Sequence, residues 1–394
     1  MARSEYEKRC LSVETTRIHS PKIKRPLSIV FLTDLHEAVF GRGNGRLLQV
    51  VCDAKPDIVL IGGDMVLTPK KGKTRMAVAL DFMEALCGRL GVGSDGYQPC
   101  VFYADGNHES RLLWKGGRFV GEYEKYFEKL TRLGVVHLDG ASAPYDGWLG
   151  VEGVELPPEA FGPLLWKKKT ALRWPAGSCR PCADVGPYTA DAALAGQKET
   201  AQAQSGYGST KARWEIGTLQ TQAEQTRSGR VGDDTYRISL VHSPLYFEES
   251  AAAGADLTLS GHFHGGTVRL PMLGGLLTPQ LQLFNPFCAG TFVAYDRAGG
   301  GNHDGQPNYD GQPNHDAQPN HDGQPNQGAA STVGPGGRFT RIGESMIFAS
   351  NESDVRIDGN PTMIVSRGLG VHSLPFRIFD KPQVVVVKLQ PEEE

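Results

Sequence analysis

The stretch Leu27–His36, LSIVFLTDLH, decides how this chain is read. An apolar, β-branched-rich run without regular polar alternation is the pattern of a strand covered on both faces. It breaks abruptly at Asp34-Leu35-His36, two residue types that ligate metals. The same arrangement recurs along the chain. Asp57–Ile61 leads into Gly62-Gly63-Asp64, and Cys100–Ala104 into Gly106-Asn107-His108-Glu109. Tyr236–Val241 ends at His242, and Ala255–Ser260 precedes Gly261-His262-Phe263-His264-Gly265-Gly266. Helical patterns about Arg46–Ala54, Thr74–Leu90 and Arg118–Leu133 lie between several of these runs. Strand, polar turn and helix in alternation predict an α/β architecture in which loops beyond the carboxyl ends of the strands meet in one crevice.

The polar turns carry seven oxygen and nitrogen donors: Asp34, His36, Asp64, Asn107, His242, His262 and His264. That set suits two adjacent divalent cations bridged by one carboxylate. In extended chain, residues i and i+2 share a face, so Asp34 and His36 are expected to serve one ion together. His262 and His264 are paired likewise. Asp64, alone after two glycines, suits the bridging position. Each motif taken singly has a plain structural reading, since Gly-Gly-Asp is a common turn and a lone histidine at a strand end is commonly structural. Their combination in order is what points to metal.

In that order the motifs resemble the calcineurin-like metallophosphoesterase superfamily. Phe40-Gly41 with Asn44 and Leu47, Gly274-Gly275-Leu276-Leu277, and Ser366-Arg367-Gly368-Leu369-Gly370 before Leu374-Pro375-Phe376-Arg377 are similar to a bacterial branch of membrane- and cell-wall-associated phosphodiesterases. The resemblance implies a four-layer αββα sandwich of two mixed sheets flanked by helices. It implies that Asp34, His36 and His264 hold one ion, that Asn107, His242 and His262 hold the other, and that Asp64 and a water or hydroxide lie between them. It also implies attack by that hydroxide on a phosphate ester. His108 would protonate the departing oxygen or stabilise its charge, with Glu109 orienting it from behind. Arg367 would approach the substrate phosphate, where its planar fork suits phosphoryl oxygens. Mixed nitrogen and oxygen shells without thiolate favour manganese, with iron and zinc as alternatives.

The net charge is −3, and no global basic field recruits nucleic acid. A stable nucleic-acid partner is therefore not expected. Met1–Arg25 carries charges throughout, and nowhere do eighteen apolar residues run together. No export signal or spanning helix is read, and a cytoplasmic location is expected. Cys52, Cys87 and Cys100 in apolar context agree with reduced core thiols. The lysine runs Lys167–Lys169 and Lys70, Lys71, Lys73 leave peripheral membrane contact open. Cys179 and Cys182 have zinc or redox spacing but lack a second pair.

Two tracts break the α/β pattern. Residues 159–234 drift to Ala, Gln, Thr, Gly and Ser, and residues 298–342 contain four consecutive hexapeptides of the NHDGQP type from Asn302 to Pro325. Both read as surface insertions too poor in apolar residues to build a core. The reading is one domain over residues 1–394, with its core at about 26–158, 235–297 and 343–390. Ser345–Ala349, Thr362–Ser366 and Val384–Leu389 are expected to complete a second sheet. The function expected is hydrolysis of a small or lipid-linked phosphate ester. A nuclease or cyclic-nucleotide phosphodiesterase, and a non-catalytic metal-binding scaffold, are the alternatives.

Overall fold

The computed structural model describes residues 2–69, 73–90, 100–114, 119–161, 234–270, 274–278, 283, 285–295, 338–342, 345–350, 354–356, 360–371 and 374–392. Lys70 and Lys71, the Lys167–Lys169 run, the Cys179–Cys182 pair and the hexapeptide tract lie outside the described residues.

The chain begins with α1 (Ala2–Glu7), β1 (Ser12–Ser20), β2 (Leu27–Leu32), α2 (Gly45–Asp53), β3 (Ile58–Ile61), α3 (Ala77–Arg89) and β4 (Cys100–Tyr103). It continues through α4 (Asn107–Trp114), α5 (Val120–Arg132), β5 (Val136–His137), β6 (Ser142–Asp146) and β7 (Leu149–Gly153). Next come β8 (Tyr236–Leu240), α6 (Phe247–Ala252), β9 (Leu257–Ser260), β10 (Arg269–Leu270), β11 (Gly274–Gly275) and β12 (Gly290–Tyr295). The last strands are β13 (Arg338–Ile342), β14 (Ser345–Ser350), β15 (Asp354–Arg356), β16 (Thr362–Val365) and β17 (Gln383–Pro391).

These strands form two large mixed sheets, ordered β15-β1-β17-β2-β3-β4-β5 and β13-β14-β12-β16-β9-β8-β7-β6. Within the first, β2, β3, β4 and β5 are parallel; within the second, β7, β8, β9 and β16 are parallel. Alternate residues of the continuously apolar strands face opposite ways. Ile29, Phe31, Ile58, Leu60 and Phe102 meet Leu149, Val151, Ile238, Leu257 and Leu259 between the sheets. Their neighbours Val30, Leu32, Val59, Ile61 and Tyr103 pack under the helices. α5 buries Tyr123, Tyr126, Phe127 and Leu130, one stripe at helical spacing, with Glu122 in its first turn and Lys129 and Arg132 in its last, matching the helix dipole. On the far side, Phe247 and Ala251 of α6 cover Phe292, Met363 and Val365. Helix, sheet, sheet and helix are thus the four layers. The buried Cys87 and Cys100 are free thiols within them.

One strand departs from the expectation. β14 and β16 join the second sheet, but the Val384–Leu389 segment lies within β17 in the first, between β1 and β2. The unbroken run Val384–Val387 needs cover on both faces, and a place inside the first sheet supplies it. β1 lies ahead of residue 26, where the core was expected to begin, and pairs with β17 along its whole length.

β2, β3 and β4 are parallel neighbours in the first sheet, and β8, β9 and β16 in the second; the polar turns that follow β2, β3, β4, β8 and β9 meet at one end of the sandwich.

Val386 pairs with Thr15 on one side and Val30 on the other, so Val386→Pro removes a ladder hydrogen bond from an interior strand. The expected loss is about 1–3 kcal/mol for the buried partner left unpaired, read as a lowered urea midpoint. A midpoint unchanged from wild type would mean that β17 is not an interior strand.

Candidate metal centre

The sequence-predicted ligands do converge. Asp34, His36 and His264 form one group of mutually close ligand atoms; Asp64, His242 and His262 form a second; His36, Asp64 and His108 form a third, each within 4.8 Å. All of these residues are buried.

The two carboxylates are arranged alike. Asp34 Oδ2 accepts the His262 backbone N–H at 3.1 Å and the Thr33 hydroxyl at 3.0 Å. Its Oδ1 faces three imidazoles, with the Nε2 atoms of His264, His36 and His242 at 3.6, 3.7 and 3.8 Å. Asp64 Oδ1 accepts the His108 backbone N–H at 2.7 Å. Its Oδ2 faces His242 Nε2 at 3.2 Å and His36 Nε2 at 3.6 Å. Asp34 Oδ1 also takes a longer share of the His262 N–H, at 3.3 Å. Each carboxylate therefore has one oxygen held chiefly by hydroxyl or backbone donors and the other turned to the histidines.

Carbonyl oxygens behind the imidazoles orient them. His242 Nδ1 lies 2.7 Å from Gly62 O, and His264 Nδ1 lies 3.1 Å from Gly370 O. Each Nδ1–H donates outward, so in the neutral ring the lone pair is on Nε2 and turned to the carboxylates, the arrangement that metal-bound histidines use. His242 Nε2 is buried and makes no hydrogen bond. Asn107 adds a further donor. Its carboxamide oxygen faces Asp64 Oδ2 and His262 Nδ1, two acceptors. Turning the amide over would place its nitrogen 3.2 and 2.9 Å from them. Oxygens and nitrogen lone pairs meeting in this way need a cation among them or an inverted amide. Hard oxygen and imidazole donors of this kind fit a divalent transition metal.

The turns themselves correct one step of the sequence reading. Asp34 and His36 have φ of 57° and 46°, Asp64 54°, and His262 and His264 68° and 48°. The paired residues thus meet through left-handed turns, not through the alternating faces of extended chain. Such backbone is costly for residues with a Cβ and concentrates at functional sites. Gly63 and Gly261 make the approach: at Gly63 a Cβ would lie 2.1 Å from the Gly106 nitrogen, and at Gly261 2.3 Å from Asp34 Oδ2.

Glu109 sits behind the ligands. Its carboxylate accepts the N–H groups of Asp64, Met65, Val66 and Gly106 and the Tyr103 hydroxyl. Burial, then Asp64 and Asp105, push its pKa up to about 7, while those donors favour the ionised form. The residue it orients is Asp64. His108 is held from elsewhere, by the Thr68 N–H on Nδ1 at 2.8 Å. Arg367 is not brought to the cluster. Its guanidinium meets Ser12 Oγ, Glu14 and the Lys381 carbonyl. Its loop reaches the centre through backbone instead, Gly370 N donating to Asp34 O at 2.6 Å and Leu369 N to Thr33 O at 3.1 Å. The arginine that serves this loop is the fully buried Arg377, whose Nη2 donates to the carbonyls of Arg367, Gly368 and Gly370. No ligand spacing marks it in the sequence.

Burial opposes a charge on His242, but Asp64 and then Asp34 outweigh it and push its pKa up to about 10. Asp34 and Asp64 are both held below the usual carboxylate range by the histidines, against their burial.

A family model described as calcineurin-like phosphoesterase matches residues 27–266, from the start of β2 to just past His264. No curated protein matches the chain.

A cation held by His242 would have to displace its proton, because only neutral imidazole ligates. Apparent Mn²⁺ affinity of the metal-free protein is therefore expected to rise with pH between 6 and 9, by up to about tenfold per unit for each proton displaced. Calorimetry in buffers of different ionisation enthalpy reads the released protons directly. Affinity independent of pH, with no proton released, would contradict this account of His242.

Proposed function

We propose a mechanism from one premise: the chain belongs to the calcineurin-like phosphoesterase family and is a metal-dependent phosphoric ester hydrolase. The observation that carries the mechanism is the pair of buried carboxylates, each held on one side by hydroxyl or backbone donors and turned on the other to imidazole nitrogens. Asp34, His36 and His264 would hold one divalent ion, Asn107, His242 and His262 a second, and Asp64 would serve both. Two such ions supply neutralisation of the phosphoryl oxygens and a water acidified enough to attack phosphorus.

The chain's own groups do the rest. The Thr68 N–H cannot change its role, so His108 Nδ1 is the acceptor of that bond and the ring proton resides on Nε2. The His108 ring packs edge-on to His36 at 4.7 Å. His108 is thus a proton donor fixed beside the ligands, suited to protonating the oxygen that departs. Glu109 keeps the Asp64 turn in place through four backbone N–H groups. Phe161 sets its ring 5.0 Å from that of His262 and makes that side of the site apolar.

Manganese is the metal proposed, since the donor set contains oxygen and imidazole but no thiolate. The substrate proposed is a small or lipid-linked phosphate ester. With a net charge of −3 the chain has no overall field to draw in nucleic acid. Among the described residues, no helix is long and apolar enough to cross a membrane.

Asp64→Ala is expected to lose bound metal and turnover together. His108→Ala is expected to retain metal while kcat falls by about 10²–10⁴. Both are checked by metal analysis of the purified proteins and by assays on nitrophenyl phosphate, bis-nitrophenyl phosphate and single-stranded DNA with Mn²⁺. Loss of metal from the His108 variant would reassign that residue as a ligand. Faster, strongly salt-dependent cleavage of DNA would replace the substrate class.

A further inference from the structure

α4 opens at Asn107, so Arg111 stands one turn beyond the ligand and the proton donor, on their side of the helix. Its Nη1 lies 3.3 Å from His108 Nε2. That contact is not a hydrogen bond in the tautomer fixed by Thr68, because Nε2 then carries a hydrogen and both atoms are donors. The other nitrogen of the fork is in the same position. With the Asn107 oxygen turned towards the ligand cluster, the amide nitrogen is the atom that faces Arg111 Nη2, at 3.2 Å. Arg111 is half-buried and, among the described residues, has no carboxylate partner. With the amide in that orientation, both of these nitrogens of the fork meet donors, and the acceptor that suits a planar fork is a carboxylate or a phosphoryl group.

We infer that Arg111 holds a non-bridging oxygen of the substrate's phosphoryl group, beside the departing oxygen that His108 protonates. The inference rests on the phosphoester-hydrolase mechanism proposed above and adds a recognition residue to it. With the Asn107 amide inverted, its oxygen would accept from Arg111 Nη2 instead. A cation that held that oxygen inward would leave the fork to the substrate, so that Arg111 would read phosphate in a loaded site.

The test compares wild type, Arg111→Met and Arg111→Lys, each loaded with Mn²⁺, by metal analysis, by calorimetric titration with inorganic phosphate, and by turnover of nitrophenyl phosphate. The expected result is unchanged metal content and thermal unfolding in both variants. Phosphate binding weakens at least about tenfold in Arg111→Met, and less in Arg111→Lys, which restores the charge without the fork. KM for the ester rises in step with the phosphate dissociation constant. Wild-type phosphate affinity in Arg111→Met, alongside a wild type that binds phosphate and turns over, would overturn the role of Arg111 and leave the hydrolase mechanism standing. Loss of metal from both variants would also overturn it, assigning Arg111 to support of Asn107. A metal-loaded wild type that neither binds phosphate nor cleaves the ester would overturn both readings.

Discussion

Two buried carboxylates, Asp34 and Asp64, face one set of imidazoles, and the arrangement of the sheet edge follows from what they need. A carboxylate taken out of water costs several kcal/mol unless charge or hydrogen bonds compensate it. Neither residue is exposed at all. Half of the compensation is built from backbone and neighbouring side chains: the His262 N–H and Thr33 hydroxyl on Asp34, the His108 N–H on Asp64. The other half must be positive charge. In the metal-free chain protonated His242 supplies part of it, since its imidazole is held charged by the very groups it faces. A divalent cation among these groups would supply more and take the place of that proton. Folding and metal loading thus draw on the same electrostatic demand.

Meeting that demand sets the backbone. Side chains from five separate turns approach one another only if the turns are tight, and five of the ligands occupy left-handed backbone. Sheet pairing on either side and the glycines between hold them there. Gly106 shows how little room is left, since a Cβ on it would lie 2.2 Å from Asp64 Oδ1. Glu109 contributes from the opposite direction. Its side chain bonds the N–H groups of three consecutive residues, Asp64 to Val66, which would otherwise be buried donors without partners. The Gly-Asn-His-Glu tetrad is therefore one device: the second residue turns its amide to the cluster, the third stands beside it, and the fourth fixes a turn from another strand.

Much of this was legible before any coordinates. Unbroken apolar runs ending in Asp, Asn or His name both the strands and the ligands, because a covered strand and a buried ligand leave their marks next to each other in sequence. The misreadings share one cause, which is distance in the chain. Val384–Val387 shows that it is covered on both faces but not by which sheet, and its partners are Ser12–Ser20 and β2, over 350 residues earlier. Asp34 and His36 stand at a spacing that suits either an extended strand or a left-handed turn, and the choice depends on Gly63 O and Asp64 O accepting their backbone N–H groups. Arg367 sits in a loop that touches the centre, yet its side chain leaves it for β1. The residue next to a site in sequence and the side chain pointing into the site need not coincide.

The residues matched by the family model end at 266, and the whole cluster of candidate ligands lies within them. The centre nevertheless depends on the chain beyond. The Gly370 carbonyl orients His264, and that carbonyl also accepts Arg377 Nη2 at 2.8 Å. Arg377 has no exposed surface and pairs with the equally buried Asp380, whose own carboxyl burial pushes up to about 6. α1 closes over both: Ser4 Oγ accepts the Arg377 N–H, and Glu7 accepts that of Asp380. A buried ion pair is rarely worth more to stability than apolar packing of the same volume. Its use here is geometric, since a guanidinium can bind three carbonyls of one loop at once and a hydrocarbon can bind none. The carbonyl that fixes the tautomer of His264 is in this way held by an arginine 113 positions later in the chain than that histidine, itself packed under the first helix.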